Sequence, residues 1–286
     1  MTPMQNDKTN AVAPHFQTAG AGPYILCLHC STGSWKQWQV FMERMASDHS
    51  VFACDLYGYG KSPAWDNSRA LELDDEIALL APVLKSIPGP FHLVGHSYGA
   101  AVAMRIAQLY PARVRSLAVY EPVLFNLLFQ GGELEAAAEI WMVQDDVFRL
   151  MADDRRADAA RRFVDYWSGD GAWESLSDWQ KTAIEQRMDK VRADFDATLG
   201  HLTPLAEFAK LQVPTLFLYG LQSPQTTVRI ADLLARTLPN VEIRGLLPVG
   251  HLAPITHAEQ IADILARFIR AQPPGIRAHQ ISRNCR

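Results

Sequence analysis

Apolar residues arrive along this chain in two rhythms. Short runs rich in apolar residues occupy 24–29, 51–54, 91–94, 114–120, 213–220 and 241–247. Runs of that length, bounded by turn residues, suit strands buried on both faces. Gly20-Ala21-Gly22-Pro23 precedes the first run, after a shorter extended piece at 15–18, and Pro88-Gly89-Pro90 precedes the third. Between the runs, apolar positions recur at helical spacing over 35–46, 73–87, 100–110, 226–238 and 258–270. Strand and helix alternating this regularly predict an α/β fold, a doubly wound and mostly parallel sheet. The alternation stops at 123–203, where helical patterns over 133–151, 154–166 and 177–191 follow one another with no strand, broken at Gly169-Asp170-Gly171. We read this stretch as a helical cap inserted into a core made of 14–122 and 204–271, with 1–13 and 272–286 as flexible termini. Of the cap's aromatic residues, those near 124–129 and Tyr166-Trp167 are the candidates for a pocket lining.

Composition narrows the function classes. The chain has 286 residues, 48% hydrophobic and 20% charged, with a net charge of −4. That balance gives no reason to expect nucleic acid as a partner. No stretch approaches the roughly 18–20 apolar residues of a membrane span. The polar segment Met1 to Asn10 lacks the apolar centre of a signal peptide, so a cytoplasmic protein is expected. Cys27 and Cys30 form a C-x-x-C, but along a strand positions three apart face opposite ways, and no second cysteine pair completes a zinc site. Buried free thiols are expected instead. Gly58-Tyr59-Gly60-Lys61-Ser62 lacks phosphate-loop spacing. No cofactor or metal is implied.

The chemistry concentrates at Gly95-His96-Ser97-Tyr98-Gly99, where the run 91–94 ends and a small-residue helix begins. G-x-S-x-G at a strand-to-helix junction is the nucleophile-elbow pattern. The turn is so tight that the serine is strained and its hydroxyl projects into open space. Near-bare neighbours are therefore needed on both sides. A serine hydroxyl is a weak nucleophile at neutral pH and needs a base oriented by an acid. His251 sits in the loop after the last strand, at the carboxyl edge where the elbow also lies, and is the expected base. His29 ends a core strand, His96 lies within the elbow and His257 begins a helix.

With these pieces in place, the sheet portion resembles the capped branch of the α/β-hydrolase superfamily. The matching segments are Leu28-His29-Cys30-Ser31, Asp55-Leu56-Tyr57-Gly58-Tyr59-Gly60-Lys61-Ser62, Gly95-His96-Ser97-Tyr98-Gly99 and Gly250-His251. The resemblance implies an oxyanion hole from the backbone N–H groups of Ser31 and Tyr98. It also implies an acid between Ser97 and His251 in chain order. Members usually carry an aspartate shortly after the strand that here ends at Gly220, but 221–227 contains no carboxylate and Asp232 lies two turns into a helix. Some members place the acid at the end of the strand following the elbow helix, which here makes it Glu121. The implied activity is a serine hydrolase that cleaves a small or medium carboxylic ester of a largely apolar small molecule through an acyl-enzyme on Ser97. The alternatives are a carbon–carbon bond hydrolase, a cofactor-free perhydrolase (suggested by the spacing of His251, Thr256 and His257) and a non-catalytic receptor on this fold. Epoxide hydrolase and dehalogenase chemistry both need an aspartate where Ser97 stands.

Overall fold

A computed structural model describes residues 12–273. Seven strands form one sheet: β1 (Phe16–Ala19), β2 (Tyr24–Leu28), β3 (Ser50–Cys54), β4 (Phe91–His96), β5 (Val114–Tyr120), β6 (Thr215–Gly220) and β7 (Val241–Leu246). Their spatial order is β1-β3-β2-β4-β5-β6-β7, and all pairings are parallel except β1 with β3. The central strands come from the runs rich in apolar residues and are buried throughout β4 and nearly throughout β2 and β5. Edge strand β7 instead alternates half-buried and exposed positions, as expected of a strand covered on one face.

Helices cover both faces. Leu73–Ser86, Tyr98–Leu109 and Gln225–Thr237 bury Leu80, Val102, Ile106 and Leu234 against one side of the sheet. Gln39–Met45 and Ala258–Arg270 bury Phe41, Met45, Ile261 and Leu265 against the other. From β2 the chain winds outward to β3, and from β4 it winds the opposite way to β7. The switch point therefore lies between β2 and β4, where a doubly wound sheet opens a crevice at its carboxyl ends.

Between β5 and β6 lie five helices: Asn126–Gln130, Leu134–Ala152, Arg156–Ser168, Asp178–Glu185 and Met188–Leu199. The single helix expected over 177–191 is two helices, parted at Gln186-Arg187, and the second runs on to Leu199. No glycine or proline marks that break. The expected flexible termini fall almost wholly outside the described residues. Cys27, Cys30 and Cys54 are free, buried thiols. Among the described residues, no helix is long and apolar enough to cross a membrane.

Candidate active site

The site is built where β4 and β5 end side by side. Their last residues, His96 and Tyr120, are paired in register, and the next residue on each strand adopts a left-handed backbone: φ is 54° at Ser97 and 46° at Glu121. Such angles are costly for residues with side chains and persist where surrounding structure holds them. Here the ladder does so, since the Ser97 N–H donates to the Tyr120 carbonyl at 2.9 Å and the Glu121 N–H to the Leu218 carbonyl at 3.0 Å. The elbow glycines answer to close packing. A Cβ on Gly99 would lie 2.4 Å from the His29 carbonyl oxygen, and one on Gly95 would lie 2.6 Å from the Ala100 Cα.

Ser97, His251 and Glu121 come together in one hydrogen-bonded line. His251 Nε2 is 2.9 Å from Ser97 Oγ, and His251 Nδ1 is 2.5 Å from Glu121 Oε2. All three are buried. The second Glu121 oxygen, Oε1, accepts from the Gly220 N–H at 2.7 Å and the Ser223 hydroxyl at 2.6 Å. The segment after β6 has no carboxylate, yet it supplies the donors that hold one arriving from β5. With Oε1 occupied, Oε2 is left for the imidazole.

Two side chains from the sheet ends fix the histidine loop. His96 Nε2–H donates to the His251 carbonyl at 2.9 Å, and the Tyr120 hydroxyl donates to the Gly250 carbonyl at 2.7 Å. Burial, reinforced by the nearby His251, drives the His96 pKa well below its ordinary value, so His96 stays a neutral donor. The Trp167 indole lies over the His251 imidazole with ring centres 4.1 Å apart and planes 30° from parallel. It belongs to the walls of an open groove of about 860 Å³ as well as of both cavities beside Ser97.

At the end of β2, the Cys30 N–H is taken by Gln37 Oε1 at 3.1 Å. The Ser31 and Tyr98 amides have no acceptor among the described residues, and both residues line one cavity with Ser97. His29 is structural: Nδ1–H donates to the Cys30 carbonyl at 2.7 Å and Nε2 accepts from the Leu56 N–H at 3.1 Å. Burial lowers its pKa to about 4, which keeps it neutral. Asp55 shapes its own turn, accepting from the N–H groups of Trp35 and Lys61 at 2.7 and 3.0 Å. His257 is exposed and bonded to Thr256, away from the serine. No group of three or more His, Cys, Asp or Glu side chains is placed to hold a metal ion among the described residues.

One part of the site has no counterpart in the sequence reading. Asp194, on the helix Met188–Leu199, accepts from the Ser31 and Tyr59 hydroxyls, both at 2.6 Å, and pairs with Lys190. Lys190 also contacts Glu76 at 3.0 Å and sits over the rings of Tyr59 and Tyr98. Glu76, Lys190, Asp194, Tyr59 and Tyr98 are buried, and Ser31 is half-buried. Burial opposes the Lys190 charge, but the two carboxylates outweigh it and its pKa is raised. Glu76 and Asp194 are raised as well, because burial exceeds what Lys190 and their other donors return. The one available signal was a Lys190–Asp194 pair set among Val191, Ala193, Phe195 and Ala197.

A strained serine at a strand–helix junction, a histidine from the last loop and a mostly parallel sheet with one switch point place the chain in the doubly wound α/β class. Residues 25–264 match the alpha/beta hydrolase family, and the chain belongs to it. It is 26% identical over 266 residues to the biotin biosynthesis bifunctional protein BioHC of Teredinibacter turnerae, covering 87% of this chain and 45% of that one. It is likewise 26% identical over 272 residues to the pimeloyl-[acyl-carrier protein] methyl ester esterase of Methylococcus capsulatus, covering 88% and 97% of the two chains. The chain spans 45%, 32% and 66% of the lengths of three curated relatives it matches. Among solved structures, an alpha/beta hydrolase from Sphaerobacter thermophilus superposes with a TM-score of 0.68 at 22% identity, over 90% of this chain and 96% of the other.

Proposed function

We propose that this hydrolase cleaves a carboxylic ester through an acyl-enzyme on Ser97. The observation that carries the reading is the unbroken line from Ser97 Oγ through His251 to Glu121. In the acylation step, His251 Nε2 takes the hydroxyl proton as Ser97 Oγ bonds to the ester carbonyl carbon. The carbonyl oxygen becomes an oxyanion held by the Ser31 and Tyr98 amides. Glu121 keeps the imidazole in the tautomer that presents a free Nε2 and stabilises the imidazolium. The imidazolium then protonates the alkoxy oxygen, the carbon–oxygen bond breaks and the alcohol leaves. Water activated by the same histidine releases the acid and restores Ser97.

Under this reading the five-helix insertion acts as a cap, supplying Trp167 above the base and Asp194 beside the oxyanion loop. Against a receptor reading, whose support is the missing aspartate after Gly220, we set the hydrogen bond between Glu121 and His251. The cytoplasmic assignment accords with three thiols kept reduced and buried.

Labelling by a fluorophosphonate probe tests the reading, together with release of p-nitrophenol from p-nitrophenyl acetate. Wild type is expected to do both, and Ser97→Ala neither, its turnover falling by about 10⁵–10⁶-fold. Wild type that neither labels nor turns over an ester overturns the proposal.

A further inference from the structure

Two cavities open beside Ser97, and they differ in size and in which catalytic groups they share. One holds Ser97 with the oxyanion residues Ser31 and Tyr98 but not His251, and measures about 20 Å³. Its distinctive walls are Val123, Phe125, Val191, Phe195 and Thr198, with Asp194 at the side. The other holds Ser97 and Ser31 with His251 but not Tyr98, and measures about 220 Å³. Its distinctive walls are Val164, Ala172, Leu176, Ile184 and Leu252.

The chemistry of acyl transfer tells these cavities apart. The imidazolium must hand its proton to the leaving oxygen, so the alcohol portion lies on the His251 side. The carbonyl oxygen faces the two amides, and the acyl chain takes the remaining side, which is the smaller cavity. A space of ~20 Å³ on this measure is room for little more than one water molecule or a methyl group. The only charged group there, Asp194, already receives Ser31, Tyr59 and Lys190. Thr198 donates its hydroxyl to the Asp194 carbonyl at 2.8 Å. That side therefore offers an extended or charged acyl chain neither space nor a free partner. The larger cavity is walled mostly by apolar side chains, Phe163 and Trp167 among them, and suits an apolar alcohol.

Resting on the serine-esterase reading, we infer that the preferred substrates are uncharged esters in which an acetyl-sized acyl group is joined to a larger apolar alcohol. The asymmetry comes from the insertion, since Phe195 and Val191 close the acyl side while Ile184 and Leu176 bound the other.

Two ester series read on the wild-type enzyme test the inference: p-nitrophenyl acetate, butyrate, hexanoate and octanoate, and the acetates of ethanol, hexanol and benzyl alcohol. We expect kcat/KM to fall about 100-fold from acetate to hexanoate, and to rise about tenfold from ethyl to benzyl acetate, the scale on which pockets discriminate by methylene-sized steps. Phe195→Leu is expected to recover about tenfold on butyrate relative to acetate while leaving the alcohol order intact. Val191→Ala serves the same purpose should the first variant fold poorly. An acyl series that is flat or rises with chain length overturns the assignment, as does ethyl acetate turned over as well as benzyl acetate. Turnover of either series with the opposite preferences leaves the esterase reading standing and removes only this inference. Silence on every ester with Ser97 unlabelled removes both.

Discussion

Two buried clusters of acid and base flank the pocket at Ser97, and they are wired differently. In one, Glu121 faces the His251 imidazole, whose other nitrogen meets Ser97. In the other, Glu76 and Asp194 face Lys190, whose charge is reinforced by both carboxylates. Each solves the problem of a carboxylate out of water, since Glu121 has two fixed donors and Asp194 has two hydroxyls and an ammonium. Under the proposed mechanism, only the first leaves a carboxylate oxygen facing a group that changes charge during the reaction. Burial and satisfied hydrogen bonds therefore do not mark a catalytic acid. The titratable partner does, and the fixed cation marks a tie between the insertion and the oxyanion loop.

Glu121→Gln gives the largest effect separating the two clusters. An amide N–H facing His251 Nδ1 would turn the imidazole to the tautomer that cannot accept the serine proton. We expect kcat to drop by about 10³–10⁴-fold with little change in melting temperature. A variant that retains near-wild-type kcat would remove Glu121 from the catalytic line.

Lys190→Met is expected to reverse that pattern. Removing the cation strands two buried carboxylates and costs about 3–5 kcal/mol of stability. The sign with pH follows from Lys190, which lowers both carboxylate pKa values against burial, so that its removal raises them further. Below the unfolded carboxylate range both states are protonated and the cost is small. As pH rises, the unfolded chain ionises freely while the folded cluster holds its protons, so the gap from wild type widens between pH 5 and 8. Denaturant melts at the two pH values check this, and a gap that narrows toward pH 8 would break the argument.

Ser31→Ala is the smallest of the three. It removes one charge-assisted hydrogen bond to Asp194, worth about 1.5–3 kcal/mol, and leaves the Ser31 amide in place. We expect kcat/KM to fall by about tenfold as the loop loosens. Steady-state kinetics alongside a denaturant melt would separate loss of positioning from loss of fold. Unchanged kinetics would confine the tie to structure.

The same contrast explains what the sequence could and could not reveal. Alternating apolar runs and helical stretches set out the parallel sheet, because strands buried on both faces leave no other pattern. The place of Glu121 beside His251 was expected from the resemblance, because some members carry an acid at this strand end and 221–227 holds no carboxylate. Lys190, Asp194 and Glu76 were not. A lysine four residues before an aspartate reads as an ordinary exposed helix pair, and only the fold brings them to Ser31 and Tyr98. The separation of Asp178–Glu185 from Met188–Leu199 was equally hidden, since Gln186-Arg187 carries no breaker. Of the aromatic residues beside Ser97, Phe125 and Trp167 fell in the segments singled out, while Phe163 and Phe195 had nothing local to distinguish them.

The stacking of Trp167 on His251 has a spectroscopic consequence. An imidazolium held against an excited indole drains its emission, whereas a neutral imidazole does so far less. Trp167 thus makes the proton on the base visible as light. The difference in emission between wild type and Trp167→Phe, followed through a pH titration, isolates that one ring from the other six tryptophans and reports His251 in the resting enzyme without any substrate.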